Sequence, residues 1–110
     1  MVNEEIFEAK DVHISRLCRA LGHPARIAIL KTLASRQECV CGEIVDVMPL
    51  AQSTVSQHLR ELKKVGLVKG RIFGTKSCYC INWETLDTLF NEFEDLASFL
   101  KKHNPDGSCC

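Results

Sequence analysis

The hydrophobic period of this chain changes at Gly66. Before it, Val55, Leu59 and Leu62 recur at helical spacing within Gln52–Val65. After it, Leu67–Phe73 and Lys76–Ile81 flank Gly74-Thr75, the pattern of two strands joined by a tight turn. A helix must therefore feed a hairpin directly, and Gly66 is suited to close the helix. Upstream, a short helix is expected over residues 41–48, stopped by Pro49, with Pro49-Leu50-Ala51 as a tight connection. Helix, short turn and a polar second helix make a helix-turn-helix, and a basic hairpin beside it reads as a wing.

The flanks are helical. Ile14, Leu17, Cys18 and Leu21 predict an amphipathic helix over residues 6–21, ended by Gly22. His23-Pro24 opens a second helix, with Pro24 in its first turn, that runs to about Ala34 or Ser35. Leu86, Leu89, Phe90, Phe93, Leu96, Ala97 and Leu100 place an apolar stripe along a last helix that breaks at His103-Asn104-Pro105. That stripe is long for the end of a small domain, so part of it is expected against a second subunit. The expected fold is mainly α with a small β-hairpin (α+β), a winged helix-turn-helix working as a homodimer. A length of 110 residues makes one domain. Residues 1–21 and 82–103 are its dimerisation helices, 41–65 the helix-turn-helix, 67–81 the wing and 104–110 a tail.

The 45% hydrophobic content argues against disorder. No apolar stretch approaches the roughly 18 residues that span a bilayer, and the N-terminus lacks a signal-peptide pattern. A cytoplasmic protein with no membrane partner is expected. Net charge is zero, but it is unevenly spread. Residues 52–76 carry Arg60, Lys63, Lys64, Lys69, Arg71 and Lys76 against Glu61, a net +5 between two segments of −3 at 1–11 and 77–103. One basic segment between acidic ones fits double-stranded DNA as partner, although a solvated basic face gives the same pattern. Gln52, Ser53, Thr54, Ser56 and Gln57 crowd the first turns of the candidate recognition helix, where base edges are read. His58 is a further candidate for phosphate or base. Arg60, Lys63 and Lys64, with Arg71 and Lys76 on the wing, suit phosphates. Val55, Leu59 and Leu62 are expected in the core.

Seven cysteines is a high count, and odd. With no export signal they read as metal ligands or redox sensors rather than structural disulfides. Cys39 and Cys41 sit one residue apart, just ahead of the helix-turn-helix, and can converge on one soft ion from an extended or turn segment. Cys41, at the start of the expected short helix, would have its thiolate favoured by the helix dipole. A third thiolate could come from Cys109 or Cys110 on the tail, or from Cys18, which the stripe with Leu17 and Leu21 places in the core. Cys78 and Cys80 share one face of a wing strand. They fill ordinary hairpin positions or form a second soft-metal site, the former being favoured. His23 reads as structural, and His13 and His103 are isolated. No nucleophile has a plausible His/Asp partner and no Cys-x-x-Cys accompanies a βαβ pattern. The chain reads as a non-enzyme with no small-molecule substrate and no organic cofactor.

Leu21-Gly22-His23-Pro24-Ala25-Arg26-Ile27-Ala28-Ile29-Leu30, Gln52-Ser53-Thr54-Val55-Ser56-Gln57-His58-Leu59-Arg60-Glu61-Leu62 and Gly66-Leu67-Val68 resemble the ArsR/SmtB family of metal-responsive repressors over about residues 10–100. The resemblance implies a homodimeric winged helix-turn-helix released from its operator by an inducer. Cys39-Val40-Cys41 resembles the Cys-Val-Cys of arsenic-responsive members and their cadmium/lead-responsive relatives. Ile44 departs from the further cysteine of the arsenic type, so another ligand is needed. The implied inducer is As(III) or Sb(III), with Cd(II) or Pb(II), or a thiol-redox or persulfide signal, as alternatives. The last helix lacks the histidine pair of the family's zinc sensors, which argues against a zinc or nickel site there.

Overall fold

A computed structural model describes residues 6–36, 40–41, 49–74 and 76–105, the side chains of Val40, Cys41, Phe73 and Lys76 excepted. Its elements are α1 (Ala9–Leu21), α2 (Pro24–Arg36), β1 (Val40–Cys41), α3 (Gln52–Lys64), β2 (Val68–Phe73), β3 (Lys76–Ile81) and α4 (Trp83–Lys102). The four longer helices and the hairpin are present within a few residues of their predicted bounds. The rest of the short helix predicted at 41–48 lies outside the described residues. Cys41, at its predicted edge, is extended and belongs to strand β1.

Local chemistry explains the joints. Pro24 is the first residue of α2, and the His23 ring accepts a hydrogen bond from the Ala25 N–H at Nδ1, 3.0 Å away. This confirms the structural reading of His23. At the end of α3, Gly66 takes a positive φ of 83°. The Gly66 N–H donates to Lys63 and the Leu67 N–H to Leu62, both at 3.0 Å, which satisfies the last carbonyls of α3 and turns the chain into β2. Gly74, with φ 63°, turns the hairpin. The Asn82 side chain caps α4 by accepting from the Thr85 N–H.

Among the described residues the sheet has three strands in the order β1-β3-β2, all antiparallel. The hairpin was expected; the third strand was not. One hydrophobic cluster draws on each of the four described helices, Leu17 and Ala20 from α1, Ile29 and Leu33 from α2, Val55, Leu59 and Leu62 from α3, and Leu89 from α4, with Leu67 ahead of β2 and Val68 and Ile81 from the hairpin. Cys18, expected in that core, is instead a free thiol on the exposed side of α1. One step of about 100° from Leu17 carries it off the buried sector.

Helix α4 is covered on one side only. Leu89 is buried, while Phe90, Phe93, Leu96, Phe99 and Leu100 are exposed. Polar contacts fix α1 against it: His13 Nδ1 meets Glu92 Oε1 at 2.7 Å and Lys10 Nζ meets Asp95 at 3.8 Å. Among the described residues no helix is long and apolar enough to cross a membrane.

Candidate nucleic-acid interface and thiol row

Helix α3 is two-faced. Val55, Leu59 and Leu62 are fully buried, as expected, and drive its packing onto the core. The opposite face shows Gln52, Ser53, Gln57, Arg60, Lys63 and Lys64 to solvent, with Thr54 and Ser56 half-buried at its margin. Polar amide and hydroxyl groups in the first turns, followed by cations, are the donors and acceptors that base edges and phosphates require.

His58 is a correction. Placed by the sequence among the DNA contacts, it is buried at 9% exposure and faces the core side of α3. Its Nδ1 accepts a hydrogen bond from Arg26 Nε at 3.0 Å, and its ring lies 4.5 Å from that of His23. Accepting at Nδ1 keeps the ring neutral with its hydrogen on Nε2. Burial, then the neighbouring His23 and Arg26 charges, push its pKa below the usual histidine value. A signal was present: His58 lies at i+3 from Val55 and four before Leu62, within the apolar stripe. Arg26 was missed because its role depends on a partner 32 residues away.

The recognition helix and the wing touch through Lys63. A side-chain carbon at Gly70 would lie 3.0 Å from Lys63 Nζ, so the bare glycine leaves room for the lysine to lie across β2. Lys64 pairs with Glu61 at 3.1 Å on the surface. Lys69 and Arg71 are exposed on β2, and Lys76, at the first position of β3, pairs with Phe73 across the turn.

Three of the cysteines, Cys41, Cys78 and Cys80, fall on the sheet. Cys41 of β1 is opposite Cys78 of β3, and Cys78 is opposite Arg71 of β2, so the three form one row across the strands. Lys69 is opposite Cys80. Cys78 is completely buried and Cys80 half-buried, and both are disulfide-bonded, which replaces the ordinary-filler reading of these positions. Cys39, Cys109 and Cys110, expected as ligands, lie outside the described residues.

Residues 21–71 match a family model for a helix-turn-helix domain. The chain is 31% identical over 93 residues to the arsenical resistance operon repressor of Bacillus subtilis, covering 84% of this chain and 85% of that one. It is 46% identical over 63 residues to the transcriptional repressor SmtB of Mycobacterium tuberculosis, covering 57% of this chain but only 46% of that one. Among solved structures, the homodimeric winged helix-turn-helix DNA-binding domain of a Mycobacterium bovis protein superposes with TM-score 0.65 at 28% identity over 94% of each chain.

Proposed function

The chain belongs to the ArsR/SmtB family of winged helix-turn-helix transcriptional repressors, and from that premise we propose that it acts as a homodimer that leaves its operator when a thiophilic ion binds Cys39, Cys41 and a third thiolate. The observation that carries the reading is the row joining Cys41 to the wing strand and, through it, to Arg71. A ligand at Cys41 is thereby linked by backbone pairing to a DNA-facing cation. The DNA surface is Gln52, Ser53, Thr54, Ser56 and Gln57 for bases, with Arg60, Lys63, Lys64, Arg71 and Lys76 for phosphates. Two recognition helices in a dimer would address half-sites about one DNA turn, ~34 Å, apart or a multiple of it.

As(III) or Sb(III) is the proposed inducer. Each takes three soft thiolates, and the B. subtilis relative is a repressor of arsenical resistance. Cd(II) and Pb(II) suit the same donors. Cys109, Cys110 and Cys18 remain donors open to test for the third position. A thiol-redox response of the same repressor is the second reading, favoured by the disulfide-bonded state of Cys78 and Cys80.

The test is fluorescence anisotropy on an operator duplex selected from random-sequence DNA. Saturating arsenite is expected to weaken binding by about 5- to 150-fold, a coupling of roughly 1–3 kcal/mol. Unchanged affinity with arsenite, antimonite and cadmium overturns ion sensing. Release by a disulfide oxidant in the same assay selects the redox reading.

A further inference from the structure

Cys78 is wholly buried, yet it stands apart from the hydrophobic cluster. Along β3, Cys78 and Cys80 alternate with Tyr79 and Ile81, which pack against or within that cluster. Alternation puts the cysteines on the opposite face of the sheet. The neighbours of Cys78 in the ladder are Cys41 on one side and Arg71 on the other. Directly opposed residues of an antiparallel pair share a face, with Cβ atoms about 4.5–5.5 Å apart. That spacing is close to what a disulfide needs, and it also lets two thiolates meet on one soft ion. The disulfide-bonded state of Cys78 means that another sulfur is already within its bonding reach.

We propose that Cys78 is the third thiolate of the soft-ion site and that Cys41 is its sulfur partner, so that a bound ion joins β1 to the wing. The inference rests on the reading that Cys39 and Cys41 bind a thiophilic ion, and it adds a donor from the wing in place of Cys109 or Cys110. Cys78 is held opposite Cys41 by the backbone ladder, so recruiting it requires no further chain to be ordered. Cys80, two positions along the same face, is a fourth donor for a tetrahedral ion such as Cd(II). The cations of β2 lie opposite both wing cysteines, Arg71 at Cys78 and Lys69 at Cys80. Closing an ion between β1 and β3 therefore acts on the strand that presents those cations to DNA.

The chemistry balances. The disulfides of Cys78 and Cys80 are first reduced, each by two equivalents of a small thiol, which leave as their own disulfide while their two protons pass to the protein sulfurs. Arsenous acid then exchanges its three hydroxyls for the sulfurs of Cys39, Cys41 and Cys78. The three thiol protons leave with those hydroxyls as three waters.

Arsenic K-edge absorption of the reduced, arsenite-loaded protein counts the sulfurs. The wild type and Cys109→Ser/Cys110→Ser are expected to keep three, and Cys78→Ser to keep two. Three sulfurs in Cys78→Ser, with loss in the tail variant, overturns the wing donor while leaving the arsenic reading intact. No sulfur shell in the wild type removes the arsenic reading and this inference with it. Because Cys78 is buried and its variant could misfold, a second measurement uses the oxidised wild type alone. Tryptic peptide 37–60 is expected disulfide-linked to peptide 77–101, with fragmentation of the linked pair placing one bond between Cys41 and Cys78. Peptide 37–60 linked instead to 103–110, or recovered unlinked, overturns the pairing.

Discussion

The Nε of Arg26 donates a 3.0 Å hydrogen bond to Nδ1 of His58, fastening α2 to the buried side of the recognition helix. Arg26 also reaches the Ala20 carbonyl at 3.2 Å through a second nitrogen, so one side chain holds the end of α1 and the middle of α3. The exposed face of α3 is thereby oriented by a contact on its buried side.

Removing that contact should cost stability and spare recognition. His58→Ala leaves a half-buried guanidinium nitrogen without its acceptor, a loss of about 1–3 kcal/mol. The urea midpoint is expected to fall accordingly, while operator affinity of the folded variant stays within about twofold. A large affinity loss with an unchanged midpoint would instead restore His58 to the DNA surface.

The same ring makes stability depend on pH. Its folded pKa lies below the unfolded value of 6.5, because burial and the His23 and Arg26 charges disfavour its protonation. In the window between the two values the unfolded chain binds more protons, so stability is full above 6.5 and declines as pH falls through it. Denaturation series from pH 7.5 to 5.5 are expected to show this decline in the wild type and a shallower one in His58→Gln. Parallel slopes would assign the decline to other groups.

How far the sequence reveals this arrangement depends on whether the cause is local. Helices α1, α2, α3 and α4 follow from apolar spacing and from Gly22, Pro24 and Gly66, all of which act within a turn. Strand β1 has two residues, too few to show a period, and it exists because β3 pairs with it nearly forty positions later. The Cys41–Cys78 opposition is invisible for the same reason, since register across a sheet is a long-range property. His58 differs: its place in the stripe was legible, but a histidine in a recognition helix invites a DNA role until its partner is seen.

On the DNA surface, Arg60 and Gln57 should separate affinity from specificity. Arg60 is exposed on the polar face of α3, beyond the first turns. Arg60→Ala is expected to weaken all duplexes alike and to lower the slope of log affinity against log salt by about 0.9 per lost phosphate contact. Gln57→Ala should leave that slope alone and relax preference at one base position, worth roughly 1–3 kcal/mol. Competition between selected and scrambled duplexes across a salt series checks both, and a reversed pattern would exchange their roles.

The exposed stripe of α4 carries the last prediction. Phe90, Phe93, Leu96, Phe99 and Leu100 line one side of the helix, and Ile6 and Phe7, ahead of α1, are exposed as well. So much clustered apolar surface is unusual on a soluble monomer and marks a contact surface. The M. bovis relative is a homodimer, so a second copy is the expected cover. Phe93 is the least exposed of these side chains at 38%, which places it nearest the buried edge of the stripe. Phe93→Asp would remove an aromatic from such an interface and place a carboxylate from each subunit in it, which costs several kcal/mol when they must be desolvated. Sedimentation velocity is expected to show a wild-type dimer at micromolar concentration and a folded monomer for the variant. That monomer should hold one half-site and lose the affinity that a second linked helix adds. A variant that remains dimeric would move the interface away from α4.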